Sequence, residues 1–280
     1  MIFIYWGESK ITWKKGSNNF GIYIKGILAQ KPLALNYNHA QEAVKTCKEH
    51  KVILGVNQNM RYDQSMRALK TLLERGLLGE TIIATIEMRA TPFWQDYLKE
   101  YDRLTILNMS IHHIDIFRYL FGEPSKVVAS TRTDPRTRFK HTDGIAIYIL
   151  EYENGLIAMS LDDTWAWQGE TDDSERDVYL KWRVEGTDGM AKGTIGWPFY
   201  PVPVPSTLDF YSNKSKGTWF RPRWKEVWFP DAFAGTMAQL LRAVEEGAEP
   251  EISGEDNLKT MALVDACYES VHEGKKIRVL

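Results

Sequence analysis

The sequence predicts an α+β fold: the remnant of a doubly wound parallel sheet, then a large, open, mostly antiparallel sheet with helices on one face. Three observations carry this. A strand–helix–strand run occupies Ile27 to Val56, period-two alternation dominates from Thr81 onward, and two amphipathic helices close the chain. The division falls between residues 1–62 and 63–280.

In order, Ile27-Leu-Ala is a short apolar strand. Asn38 followed by Gln41 has the form of a capping box for a helix through Ala43, Val44 and Cys47. Val52 to Val56 is a buried strand, and the helix between makes a crossover unit. Met66, Leu69, Leu72, Leu73 and Leu77 form a helical stripe that closes at Gly76 and Gly79. Thr81 to Ala90 alternates as a strand. Gly144 to Tyr152 and Leu156 to Leu161 flank Glu153-Asn154-Gly155, a hairpin signal. Val178 to Glu185 and Met190 to Ile195 flank a second turn, Thr187-Asp188-Gly189. Four prolines make Pro198 to Pro205 an extended loop. Thr207 to Tyr211 and Trp224 to Phe229 are candidate final strands. Ala232 to Glu246 is an amphipathic helix, and Ser253-Gly-Glu-Asp256 caps a last helix, Leu258 to His272.

The 280 residues are 44% hydrophobic and 26% charged, enough apolar mass for a sizeable core. A net charge of -2 gives no footing for nucleic acid or an anionic membrane as partner. The first thirty residues differ. Lys10, Lys14, Lys15 and Lys25 against Glu8 give +3, leaving -5 for the remainder. With Trp6, Trp13 and Ser17-Asn-Asn19, that shift predicts a segment foreign to the fold or poorly ordered. Cys47 and Cys267 fall in helical patterns as small core residues, against a metal site or disulfide framework. Met1 to Trp6 is too short for a signal-peptide core, and nothing approaches the roughly 20 apolar residues of a membrane span. A cytoplasmic protein is expected.

The most informative segment runs from Leu104 to Gly122. Asn108, His112 and Asp115, spaced four and three apart, fall on one helix face. Leu107, Ile111, Ile114, Phe117 and Leu120 bury that helix in a core. An amide, a histidine and a carboxylate on a partly buried face can carry proton transfer; a hydrogen-bonded core histidine is the alternative.

Upstream, Gln30-Lys31-Pro32 ends one strand and Asn59-Met60-Arg61-Tyr62 ends the next. With Asn108-x-Ser110-x-His112-x-x-Asp115, these come in the order and separation of three motifs: Glu-Lys-Pro, Asn-x-Arg-Phe/Tyr and Asp-x-Gly-x-His-x-x-Asp. From about Gly26 to its end the chain thereby resembles the glucose-fructose oxidoreductase/inositol dehydrogenase (Gfo/Idh/MocA) family. The resemblance implies a Rossmann domain followed by a substrate and oligomerisation domain, and an NAD- or NADP-dependent oxidoreductase acting on a sugar or cyclitol hydroxyl. It implies that His112 takes the hydroxyl proton. Asn108 then stands where an aspartate commonly orients the imidazole, and an amide orients without supplying charge. Lys31, before a proline often cis in the family, would sit where hydroxyl and nicotinamide meet. Gln30, Lys31 and Asn59 are the expected cofactor contacts; Asp115, Arg61 and Trp165 are the expected substrate contacts.

Each has a plainer reading. Lys31 is a solvated lysine, Arg61 a surface arginine, Asn59 a cap on nearby backbone, Asp115 a partner of Arg118, and His113 structural. Ten tryptophans, with Trp165 and Trp167 beside Asp162 and Asp163 and Trp94 before the His112 helix, suit sugar stacking or fill cores and interfaces. Arg132, Arg136, Arg138 and Lys140 are a solvated loop, an anion contact or an oligomer contact.

Family members open with a Gly-x-Gly-x-x-Gly loop that seats pyrophosphate on a helix N-terminus. The glycines before Lys31 are Gly7, Gly16, Gly21 and Gly26, and no pair has that spacing. The expectation is an N-terminally truncated or frameshifted member with impaired dinucleotide binding. The alternative is a non-catalytic relic that folds and oligomerises or binds carbohydrate without redox chemistry. The resemblance also implies a homodimer or homotetramer through the open sheet face.

Overall fold

A computed structural model describes residues 2–5, 24–90, 99–137, 139–164, 178–196 and 204–279. Three parallel strands make a first sheet in the order β1 (Ile2–Tyr5), β2 (Gly26–Ala29), β3 (Ile53–Val56). Helix α1 (Tyr37–Glu49) crosses from β2 to β3. All four residues of β2 are buried, as a parallel strand covered on both faces requires. Ile2–Tyr5 pairs in register with β2, and residues 6–23 of the segment expected to be foreign or poorly ordered lie outside the described residues. The cap of α1 is Asn36, not Asn38: Asn36 is extended, and its side chain accepts from the His39 amide at 3.0 Å. Asp265 accepts from the next amide, Tyr37, at 2.9 Å.

After β3 a single 3-10 turn, Asn59–Tyr62, leads into α2 (Gln64–Glu74), capped by Asp63. The second sheet then begins. Its strands are β4 (Thr81–Arg89), β5 (Lys126–Arg132), β6 (Ile145–Glu151), β7 (Ile157–Asp163), β8 (Tyr179–Gly186), β9 (Gly189–Thr194), β10 (Thr207–Ser212), β11 (Trp219–Phe220) and β12 (Ile277–Arg278). Their order is β11-β10-β9-β8-β4-β7-β6-β5-β12, and every pair is antiparallel except β4 with β7. Alternation explains the layering. β6 buries Ala146, Tyr148 and Leu150 and turns Ile145, Ile147 and Ile149 the other way.

The buried face is covered by α3 (Ile111–Phe121) and α5 (Gly254–Glu273). The Tyr152 hydroxyl donates to the Phe117 carbonyl, and the Ala129 amide donates to Ser270 Oγ. The opposite face stays open, with Ile83 38%, Ile147 42%, Ile157 45% and Met159 36% exposed. The open, mostly antiparallel sheet with helices on one face is therefore what folds.

One expectation is corrected at the C-terminal side. Trp224 to Phe229 is no strand; the edge strand is Trp219–Phe220. The Trp228 indole N–H is drawn to Asn59 and the Val227 amide to Asp231, which takes the segment out of the sheet. It passes into α4 (Phe233–Glu246), which covers β2 and β3 through Leu240 and Val244. Gly235 permits this: a Cβ there would lie 2.4 Å from the Tyr62 ring. The cap of α5 is Ser253, which accepts from the Asp256 amide at 3.1 Å, as the sequence motif predicts. Among the described residues no helix is long and apolar enough to cross a membrane.

Candidate active site

The helix that carries Asn108 and His112 is anchored before it begins. Asp143, fully buried, accepts from the Leu104 amide at 2.7 Å, the Ile106 amide at 2.8 Å and the Tyr268 hydroxyl at 2.7 Å. Those amides are first-turn donors with no partner inside the helix. Burial pushes the Asp143 carboxyl up, and these hydrogen bonds oppose that rise. The chain then makes one π-helical turn, Ile106–Ser110, before α3 continues as an α-helix. Such turns are rare, and many lie at functional sites. A second buried carboxylate fixes the end of this turn: Ser110 Oγ donates to Asp162, which also accepts from Ser160 Oγ at 2.8 Å and pairs with His113 Nδ1 at 2.9 Å. His113 is completely buried there, in a structural role.

The π-turn presents Asn108 to Lys31. The Lys31 amine donates to the Asn108 carbonyl at 2.5 Å and to its side-chain oxygen at 3.2 Å. Lys31 lies two residues past the end of β2, and its peptide bond to Pro32 is cis. Burial brings its pKa down from 10.5 to about 7. One turn beyond Asn108, the His112 imidazole is 3% exposed and meets the Trp228 ring edge-on, centroids 5.4 Å apart. Burial first, then the charge of Lys31 and that of His113, holds His112 well below the ordinary histidine value. Its Nδ1 is buried without a hydrogen-bond partner among the described residues. Lys31 and Asn108 therefore touch, and His112 follows Asn108 on the same helix within electrostatic reach of Lys31.

The third member of the sequence pattern goes elsewhere. Asp115 is 1% exposed and takes Arg61 Nε and Nη2, both at 2.6 Å, and Thr260 Oγ1 at 2.9 Å. Arg61 also donates to Asp256 at 2.6 Å and to the Glu251 carbonyl at 3.0 Å. Arg118 completes the network through Glu123, Asp256 and Thr260, and lies 3.8 Å from Asp115. The expectation of substrate contacts from Asp115 and Arg61 gives way to a structural one, because their hydrogen-bonding groups face each other inside the protein. The π-turn and the three-residue step separate the two directions.

Asn59 also turns inward. It is 5% exposed, and its side-chain oxygen accepts from Trp228 Nε1 at 3.1 Å, which holds the tryptophan against His112. Gln30 is half-buried beside Lys31 and accepts from Asn57 Nδ2 at 3.2 Å. Trp165, Trp167, Trp94 and Arg138 lie outside the described residues. In the basic run Arg132 belongs to β5, and Arg136 pairs with Asp134 and Asp163. Sequence reasoning missed Trp228 and Asp143, and it placed Asp162 beside tryptophans for sugar stacking, not under Ser110 and His113; each is brought in from a distant segment with no motif to mark that role. A cleft of about 470 Å³ between the start of α2 and residues 226–234 is lined by Tyr62, Gln64, Glu226, Val227 and Asp231, and none of the expected site residues lines it.

Comparison with known proteins bears on the same segments. Residues 70–279 match the profile of an oxidoreductase family's C-terminal alpha/beta domain (GFO_IDH_MocA_C). The chain is 26% identical over 257 residues to a D-apiose dehydrogenase of Rhizobium rhizogenes, covering 90% of this chain and 72% of that one. It is 27% identical over 262 residues to an inositol 2-dehydrogenase of Rhizobium meliloti, covering 91% and 74%. Among solved structures, an oxidoreductase from Agrobacterium radiobacter in complex with NAD+, L-tartaric acid and magnesium superposes with a TM-score of 0.73 at 25% identity, covering 90% of this chain and 72% of that one.

Proposed function

The chain belongs to the Gfo/Idh/MocA oxidoreductase family, and from that premise we propose that it is an NAD(P)-dependent dehydrogenase of a sugar or cyclitol hydroxyl. The observation that carries this is the contact of Lys31 with Asn108, from two separate segments, at the end of a parallel strand, with His112 within electrostatic reach. Ligands of doubly wound sheets bind at the carboxyl ends of their strands. A low-pKa amine and a neutral imidazole at such range are suited to moving one proton to and from a hydroxyl.

A bound oxidised nicotinamide would supply the hydride acceptor. The residues present fit the nicotinamide end of such a cofactor: Gln30 and Lys31 would hold it, and the unpartnered His112 Nδ1 is a polar atom awaiting a partner there. Asn108 orients the Lys31 amine, Trp228 keeps water off the imidazole, and Asn59 holds Trp228 in place. For the pyrophosphate end, the sequence has no Gly-x-Gly pair. A second reading is a domain that binds carbohydrate without redox chemistry. A homodimer or homotetramer through the open face of the large sheet is part of the first reading, supported by the apolar side chains exposed there.

The test is to follow nicotinamide absorbance with NAD or NADP against myo-inositol, simple hexoses and apiose, alongside NADH fluorescence titration and calorimetry with the same sugars. Turnover with any of them supports the dehydrogenase. Sugar binding without NADH binding or turnover supports the second reading.

A further inference from the structure

We propose that in this chain Lys31, and not His112, takes the proton from the substrate hydroxyl, because both oxygens that hold its amine belong to Asn108 and carry no charge. The inference rests on the dehydrogenase reading above and assigns its proton acceptor.

The geometry is asymmetric. The Lys31 amine has two acceptors, a peptide carbonyl and an amide oxygen, and forms no ion pair among the described residues. An ammonium held there is enclosed with dipoles alone, which do little to repay its lost hydration. A carboxylate at position 108 would keep the amine protonated: an opposite charge within ~4–6 Å favours the charged form. An amide removes that support while keeping the hydrogen bond, so residue 108 sets the protonation state of residue 31. Burial accordingly brings the amine to about 7.

His112 is placed to stay neutral. Its ring is enclosed against Trp228, its Nδ1 has no partner among the described residues, and protonation would set a second cation beside Lys31. The other titratable groups nearby are His113 behind it on α3, paired with Asp162; Arg61 on the 3-10 turn and Asp256 on α5, joined to each other; and Asp231 before α4, which accepts from the Val227 amide. None of these supplies an imidazolium with a counter-ion.

The step balances. The neutral Lys31 amine takes the hydroxyl proton and becomes an ammonium. The carbinol C–H bond breaks with its electron pair passing as hydride to the oxidised nicotinamide dinucleotide, and the C–O bond becomes a carbonyl. His112 stays neutral throughout and fixes the hydroxyl by a hydrogen bond.

The experiment labels the full chain, without nucleotide, with trace acetic anhydride from about pH 5 to about pH 10, and reads each lysine by peptide mass spectrometry. Lys31 should reach half-maximal labelling near pH 7, against the ~10.4 of an unperturbed lysine. In Asn108→Asp the Lys31 midpoint should rise by at least one pH unit, a tenfold loss of labelling at neutral pH. Should that variant not fold, Asn108→Ala, which keeps the carbonyl acceptor, should hold the Lys31 midpoint well below that of an unperturbed lysine. A Lys31 midpoint at the unperturbed lysine value of ~10.4, or one that stays put in folded Asn108→Asp, overturns the proposal. With NAD+ and a polyol, the pH midpoint of kcat/KM should move with the labelling midpoint. Oxidation whose pH profile ignores Asn108→Asp sinks the proposal and leaves the dehydrogenase standing. The expected labelling with no oxidation of any polyol sinks the dehydrogenase reading, and the proton role with it.

Discussion

The Arg61 guanidinium donates to both carboxylate oxygens of Asp115 at 2.6 Å, with neither side chain more than 5% exposed. This pair joins the turn after β3 to the middle of α3, and through Asp256 it reaches α5. It fixes the distance between the strand end that precedes the turn and the helix that carries Asn108 and His112.

Because the pair is buried, removing one partner strands the other. Asp115→Ala should cost roughly 3–5 kcal/mol in urea unfolding. Replacing both residues by apolar ones of similar size (Arg61→Met with Asp115→Leu) should cost less than the two single changes combined. A single-variant loss under about 1 kcal/mol would show that water reaches Arg61.

Lys31 predicts a pH dependence of stability. Its folded pKa, about 7, lies below the unfolded value of 10.5, so between these limits the unfolded chain binds more protons and stability rises with pH. Below pH 7 the cost of the buried ammonium is constant. Lys31→Met should therefore be more stable than the native chain below pH 7, by roughly 5 kcal/mol, with the difference fading toward pH 10. Urea midpoints across that window check it; parallel curves would mean the amine is solvated.

Asp143 predicts a local effect at the helix start. Asp143→Ala leaves the Leu104 and Ile106 amides and the Tyr268 hydroxyl without their acceptor. Each buried unpaired group costs about 1–3 kcal/mol. Hydrogen exchange at Leu104 and Ile106 should speed up more than at Phe117, and turnover should fall with it. Asp143→Asn, which keeps an acceptor, should be milder.

The open sheet face predicts association. Ile147 and Met159 lie on neighbouring strands, outward and more than a third exposed. Ile147→Lys with Met159→Lys should lower the mass found by light scattering while leaving the thermal midpoint within a few degrees. An unchanged mass would count against association through this face.

Much of this protein was legible from its residues alone. Alternation along Thr81–Arg89 and Ile145–Glu151, the turn glycines and the Ser253 cap depend on neighbours within a few positions, and local sequence records such neighbours directly. The same holds for Lys31, Asn108 and His112 as a set, because motif order survives in the chain. Tertiary structure alone decided which way each side chain faces. A 3.6-residue period puts Asn108, His112 and Asp115 on one stripe. The π-turn at Ile106–Ser110 and the pull of Arg61 send Asp115 toward Arg61 and Thr260, while Asn108 turns to Lys31 at the end of β2. Trp228 reached His112 only by leaving the sheet for Asn59, 169 residues away. Such choices are settled by the cost of leaving buried charges and donors unpaired, and that cost depends on partners far off in sequence, which no local pattern encodes.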